Sequence, residues 1–258
     1  MIIATYNLTK YFGGIKAVDN VTVYFNKENL NLIIGPNGSG KTTFFNLLTG
    51  YYNPDRGEII YNTNNGTKIY ITNMKPEERV KLGIVRTFQI PAPFLKLTVL
   101  ENLLVGYQNN PGEFLFTSIF KNKWLKHEKA AVEKAFNLLE LLDLSHMWDN
   151  PADTLSGGQL KLLEIGKALM ADPKVLLLDE PVGSINPVLA EKILHYIKDI
   201  KDKLKIAIIM TEHRLDIAFK YVDYVYVMVQ GKIISQGKPS EVINEPKVLE
   251  AYLGEGII

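Results

Sequence analysis

At 258 residues, with 47% apolar and 22% charged side chains, the chain has the composition of an ordinary globular protein and the length to bury a full core. A formal net charge of +1 supplies no bulk positive field, so nucleic acid is not an expected partner. The sequence has no cysteine, which excludes a disulfide framework and a thiolate metal site.

The opening Met1-Ile2-Ile3 soon meets Asn7, Thr9 and Lys10, unlike a secretory leader. No apolar run approaches the ~20 residues of a membrane span. The expectation is a soluble, intracellular chain, with attachment to a membrane through partners left open. Short β-like runs predict strands over 2–6, 21–25 and 30–34, punctuated by turns at Gly13-Gly14 and Lys27-Glu28-Asn29. A hairpin is predicted over 59–61 and 68–71 around Asn64-Asn65-Gly66. From 89 to 154 the pattern turns helical, and Ala131, Ala135, Leu138 and Leu142 form one apolar stripe. The runs 175–178 and 206–210 are apolar throughout, as parallel strands covered on both faces are. This order predicts an α/β core with an N-terminal β subdomain over 1–88 and 159–258. A helical subdomain is inserted over 89–158.

Gly35-Pro36-Asn37-Gly38-Ser39-Gly40-Lys41-Thr42, followed by Thr43, fits G-x-x-x-x-G-K-[ST] between a predicted strand and a predicted helix. Chance would supply one such string in roughly one chain of this length in a hundred at average composition. Its place between strand and helix makes chance a poor account. Glycines let backbone N–H groups turn inward around a phosphate, and the helix start adds positive potential. Lys41 would place a charge between the β- and γ-phosphates of ATP, and the Thr42 hydroxyl would ligate Mg²⁺. Gly50 is a candidate helix stop. The run Val175-Leu176-Leu177-Leu178-Asp179-Glu180 ends a buried strand in two carboxylates, at the edge where α/β proteins bind ligands. Asp179 is the candidate Mg²⁺ holder and Glu180 the candidate general base.

Leu155-Ser156-Gly157-Gly158-Gln159 is the most specific string in the chain. Ser156 and Gln159 make a capping box, so a helix should open there with two glycines and bare N–H groups, a second anion site. With the phosphate loop, this string resembles the ATPase subunits of the ABC family over nearly the whole chain. The resemblance implies an ABC ATPase fold built on a RecA-like P-loop core. It implies ATP and ADP as nucleotides, Mg²⁺ as metal, and an ATP-dependent homodimer or heterodimer with a related ATPase. In that dimer the Ser156–Gln159 segment of one subunit caps ATP held by the other. It further implies that Phe12, or alternatively Tyr11, stacks on adenine, that Gln89 senses Mg²⁺ and the γ-phosphate, and that His213 in Thr211-Glu212-His213 contacts the γ-phosphate. Asn186 departs from the pattern, because many members carry Asp at that position of the interface loop.

Finer similarity points to the ATPases of branched-chain amino-acid importers. It is carried by Gly83-Ile84-Val85-Arg86-Thr87-Phe88-Gln89, Leu97-Thr98-Val99-Leu100-Glu101-Asn102-Leu103-Leu104, Leu163-Glu164-Ile165-Gly166-Lys167-Ala168-Leu169 and the ending Ala251-Tyr252-Leu253-Gly254-Glu255. The implied partners are integral membrane permease subunits and, indirectly, a substrate-binding protein. The implied location is the cytoplasmic face of the membrane, peripherally held. Urea importers, lipopolysaccharide-export ATPases and the single-cassette iron–sulfur assembly ATPase are similar enough to stand as alternatives. Phe114, Leu115, Phe116, Ile119, Phe120 and Trp124 form an aromatic cluster read as packing within the helical insertion. The segment Ile90-Pro91-Ala92-Pro93-Phe94-Leu95 is read as a stiff, non-helical lip for docking a membrane subunit.

Overall fold

Two long strands joined at Gly13-Gly14 begin the chain, longer than the apolar runs alone predict. The computed structural model describes residues 1–63, 65–87, 91–108 and 121–253. β1 (Ile3–Phe12) and β2 (Ile15–Phe25) pair antiparallel, β3 (Leu30–Ile34) leads into α1 (Lys41–Thr49), and β4 (Arg56–Asn62) pairs with β5 (Lys68–Tyr70). α2 (Pro76–Lys81), β6 (Ile84–Arg86), α3 (Val99–Val105), α4 (Lys121–Leu141) and α5 (Gly157–Met170) follow. Then come β7 (Val175–Asp179), α6 (Pro187–Leu204), β8 (Ala207–Thr211), α7 (Leu215–Ala218), β9 (Tyr224–Val229), β10 (Lys232–Gly237), α8 (Pro239–Val242) and α9 (Pro246–Leu253). Among the described residues no helix is long and apolar enough to cross a membrane.

The chain divides into two compact units, 1–89 with 174–258, and 90–173. The division differs on one side from the boundary read at 158/159. The helix α5 packs against α3 and α4, so it belongs with the helical unit up to residue 173.

The first unit holds two sheets. The antiparallel one has the order β2-β1-β4-β5, and the six-stranded one β10-β9-β3-β8-β7-β6. In the second sheet β9, β3, β8, β7 and β6 run parallel, and β10 is an antiparallel edge. β3, β7 and β8 are buried along their whole length, as their largely apolar sequences lead one to expect, and the buried polar exceptions are Asn31, Asp179 and Thr211. Phe44, Phe45, Leu47 and Leu48 of α1 join Val23, Phe25 and Ile59 of the first sheet and Ile33, Leu177 and Ile209 of the second in one apolar cluster. The phosphate-loop helix is therefore the shared core of both sheets.

The far end of α1 is held by a fully buried cation. Arg79 donates from Nη1 to the carbonyls of Leu47 (2.6 Å) and Leu48 (2.8 Å), from Nη2 to Thr72 (3.0 Å) and from Nε to Met74 (3.0 Å). The last carbonyls of a helix lack intrahelical partners and carry its negative pole, which suits a guanidinium. Burial pulls the Arg79 pKa down to about 10. Gly50 closes the helix at φ 82°, where a Cβ would lie 2.7 Å from the Met74 carbonyl oxygen.

In the helical unit, Ala131, Ala135, Leu138 and Leu142 are buried, as their spacing predicts. Thr98 and Glu101 form a capping box on α3. The buried Asn102 accepts the Phe94 N–H at 2.8 Å and donates to the carbonyls of Phe94, Leu97 and Thr98. It pins the non-helical segment after Pro91, on which Phe94 and Leu95 stand 53% and 52% exposed.

Arg79→Met should lower unfolding stability by about 3 kcal/mol, because the buried carbonyls of Leu47 and Leu48 and the part-buried ones of Thr72 and Met74 lose the guanidinium as donor and methionine supplies none. Urea denaturation followed by circular dichroism checks this. A midpoint like that of the parent chain would mean that the carbonyls find other donors.

Candidate nucleotide site

The loop between β3 and α1 has a shape that only glycine allows at two points. Gly35 (φ 155°) and Gly40 (φ 104°) sit in the region that side chains disfavour. A Cβ at Gly35 would run into the Met228 carbonyl, and one at Gly40 into the Ala17 carbonyl. Gly40 is the N-cap of α1 and makes no side-chain cap bond, so the first N–H groups of the helix are left for a ligand. The buried Lys41 folds back over the loop and donates from Nζ to the Gly35 carbonyl (2.6 Å) and the Pro36 carbonyl (3.0 Å). Asn37, Gly38, Ser39, Gly40, Lys41, Thr42 and Thr43 line an open cavity of ≈ 420 Å³, and Glu180 and His213 line it too. That volume lies in the range of small-molecule sites.

β7 and β8 bring the acidic residues and the histidine together. Asp179 pairs with Thr211 across the two strands, and its Oδ1 accepts the Thr211 hydroxyl at 2.8 Å. Its Oδ2 accepts Nη2 of Arg86 at 2.6 Å, and Nη1 of Arg86 reaches Asn46 Oδ1 on α1 at 2.6 Å. Both members of this ion pair are less than a tenth exposed. Glu180 turns off the strand at φ 48°, in the left-handed region. Its N–H donates to the carbonyl and the hydroxyl of Thr211, at 3.1 and 3.3 Å. His213 Nε2 lies 2.9 Å from Glu180 Oε1. An ionised carboxylate can only accept, so this contact puts the ring proton on Nε2. Behind the pair, the buried Glu212 accepts the Val182 N–H at 2.7 Å and the His213 N–H at 3.2 Å. Burial pushes the Glu212 carboxyl up to about 7, while these N–H groups act in the opposite direction.

Phe12 and Tyr11 part company. Phe12 is 43% exposed and meets Tyr52 edge-on at 5.3 Å, and it pairs across the hairpin with Ile15, which lines the cavity. Tyr11 lies under Lys16 Nζ at 5.9 Å and lines a separate cleft with Tyr6 and Arg56. Gln89 and residues 114–120 of the aromatic cluster lie outside the described residues. In the helical unit, Ser156 Oγ accepts the Gln159 N–H at 3.4 Å and Gln159 Oε1 accepts the Ser156 N–H at 2.9 Å, so α5 opens with the expected capping box. Gly157 and Gly158 are its first two residues. Asn186 caps α6 by accepting the Leu189 N–H at 2.9 Å, a role that needs the side-chain oxygen and no charge. Arg79, Arg86, Asn102 and Glu212 were not singled out from the sequence.

Among the described residues no group of three or more His, Cys, Asp or Glu is gathered to hold a metal ion. The donors at hand are the Thr42 hydroxyl on the cavity wall and the Asp179 carboxylate behind it. Such a sparse set of hard oxygens fits Mg²⁺, which keeps waters and takes phosphate oxygens for the rest of its shell.

A glycine-framed loop heading a helix, at the carboxyl edge of a parallel sheet, defines the P-loop class of nucleotide-binding folds. Residues 18–183 match the family profile described as "ABC transporter", and residues 232–257 the one described as "Branched-chain amino acid ATP-binding cassette transporter". The chain therefore belongs to the ABC transporter family, as an ATP-binding cassette. It is 48% identical over 253 residues to an Archaeoglobus fulgidus protein named "Probable branched-chain amino acid transport ATP-binding protein LivG", covering 98% of this chain and 95% of that one. A Methanocaldococcus jannaschii protein of the same name is 47% identical over 258 residues, covering 98% of each. A crystal structure of the ADP conformation of an ABC transporter cassette superposes with a TM-score of 0.84 at 46% identity, covering 98% of this chain and 99% of that one.

Gly40→Ala should weaken nucleotide binding by about 10-fold or more, since the forced backbone alone stores ~1–3 kcal/mol. Titration with a fluorescent ATP analogue measures it. Unchanged affinity in a folded variant would show that the loop's shape is not what binds.

Proposed function

We propose that this chain hydrolyses ATP to drive import of branched-chain amino acids through separate membrane subunits. The observation that carries the hydrolytic half is the 2.9 Å contact between His213 Nε2 and Glu180 Oε1 beside the phosphate loop. The names of the relatives and the match over residues 232–257 carry the choice of substrate.

The loop N–H groups and the start of α1 hold the phosphates, and Lys41 adds its charge to the β- and γ-phosphates. Thr42 and Asp179, with Gln89, would hold Mg²⁺, which neutralises charge that develops on the phosphate oxygens. Glu180 takes the proton of the attacking water as general base. His213 holds the Glu180 carboxylate through its Nε2–H, and that same N–H would turn to the γ-phosphate when ATP is bound. Phe12 supplies an exposed ring for adenine. The start of α5, with Ser156, Gly157, Gly158 and Gln159, offers a second set of bare N–H groups for the nucleotide held by a partner cassette. The partner is an identical or related chain. The exposed Phe94 and Leu95, on a segment pinned by Asn102, serve as the docking lip for a permease subunit at the cytoplasmic face.

Lys41→Ala should nearly abolish ATP binding in calorimetry. Retained affinity would remove the loop from the site. Glu180→Gln should bind ATP and lose hydrolysis by ~10²–10⁴-fold, since glutamine cannot take the proton. With turnover stalled, light scattering should find an ATP-dependent dimer, and wild-type turnover would mean that another group activates the water. Replacing Phe94 and Leu95 together with Ser should leave the ATPase activity of the isolated chain near normal and weaken assembly with the membrane subunits in co-purification. Full assembly would rule out the lip.

A further inference from the structure

We infer that Glu212 is a positioning residue for hydrolysis, a buried clamp that holds the turn carrying Glu180 against the loop carrying His213. The inference rests on the roles proposed above for Glu180 and His213.

Glu180 adopts a left-handed conformation without being glycine, which is costly unless its surroundings hold it there. Two ties do so. On one side its N–H is bound by Thr211, the residue before Glu212. On the other side the turn continues through Pro181, which has no N–H, so the next donor is Val182. That N–H is buried and ends on Glu212 Oε1 at 2.7 Å. The second oxygen of the same carboxylate takes the His213 N–H at 3.2 Å. Two loops that come from adjacent strands thus hang on one side chain, and their tips meet as the 2.9 Å contact of Glu180 with His213.

Glu212 is 1% exposed and is not among the residues lining the phosphate cavity, so it does not touch the substrate. Burying a carboxylate is expensive, and a well-packed apolar side chain is often as good for stability. What an apolar residue could not do is accept two backbone N–H groups from different loops at once. The nearby Glu180 charge makes the carboxylate costlier still. That expense is understandable where the spacing of two reacting side chains depends on it.

The test compares Glu212→Gln, Glu180→Gln and the double variant in the full chain. Glutamine has the shape of Glu212 and offers one acceptor in place of two. Glu212→Gln should fold, keep its ATP affinity and KM within about twofold, and lose on the order of 10-fold in kcat, below the ~10²-fold that a 1 Å misplacement can cost. In the Glu180→Gln background the same substitution should add nothing, because the group it positions is already gone. Wild-type kcat in folded Glu212→Gln, beside an inactive Glu180→Gln, overturns the clamp and leaves the general base standing. Equal losses in affinity and kcat, or an additive loss in the double variant, make Glu212 merely structural and overturn it too. An active Glu180→Gln overturns the underlying reading instead. Should Glu212→Gln not fold, Glu212→Asp, one methylene shorter and still charged, carries the same comparison.

Discussion

β3, β8, β7 and β6 run in one direction, with Asp179 level with Thr211 and Ile33 level with Thr211 on the other side. Parallel strands in that register must release their chains along one edge of the sheet. The phosphate loop leaves from β3, Glu180 from β7, and Glu212 with His213 from β8. Residues far apart in sequence are gathered without any long-range search by their loops. The apolar runs that fix the register are buried on both faces and have no other place to go.

Against this apolar frame a few charges are buried, and each does a different job. Arg79 neutralises the carbonyl end of a helix. Arg86 ties Asp179 to Asn46 and so joins β6, β7 and α1. Glu212 gathers N–H groups from two loops. A buried ion pair is seldom worth more than an apolar pair of the same size, and removing one partner is far worse than removing both. Arg86 and Asp179 are therefore a commitment of geometry more than a source of stability. They hold a carboxylate at the sheet edge in one orientation.

Much of this was legible in the sequence. The strand-loop-helix around Lys41, the double acid after Val175, the capping box at Ser156 and the stripe on α4 each combine a period with a residue type that has few other uses. Strand ends were less legible. β1 and β2 extend beyond the apolar runs because their pairing shifts register between Thr5 and Leu8 and between Lys10 and Tyr11, which breaks the alternation a reader would follow. The boundary read at 158/159 and the division at 173/174 differ because Ser156 marks where a helix begins, while the compact unit includes the helix that packs against α3 and α4. Arg79, Arg86, Asn102 and Glu212 gave no pattern at all. A single polar residue carries no periodicity, and its meaning lies in partners brought near by the fold, such as Leu47 for Arg79 or Val182 for Glu212.

The capture of α1 by Arg79 has a consequence at the opposite end of that helix. The Leu47 and Leu48 carbonyls at its end are held by Arg79, its apolar side packs between two sheets, and its C-terminal turn is closed by Gly50. These contacts tie the helix down at its far end and along its side. An arriving anion meets N–H groups already aimed, and none of its attraction is spent on ordering the receptor. A guanidinium at the far end of the helix thereby helps to pre-order the site at its start.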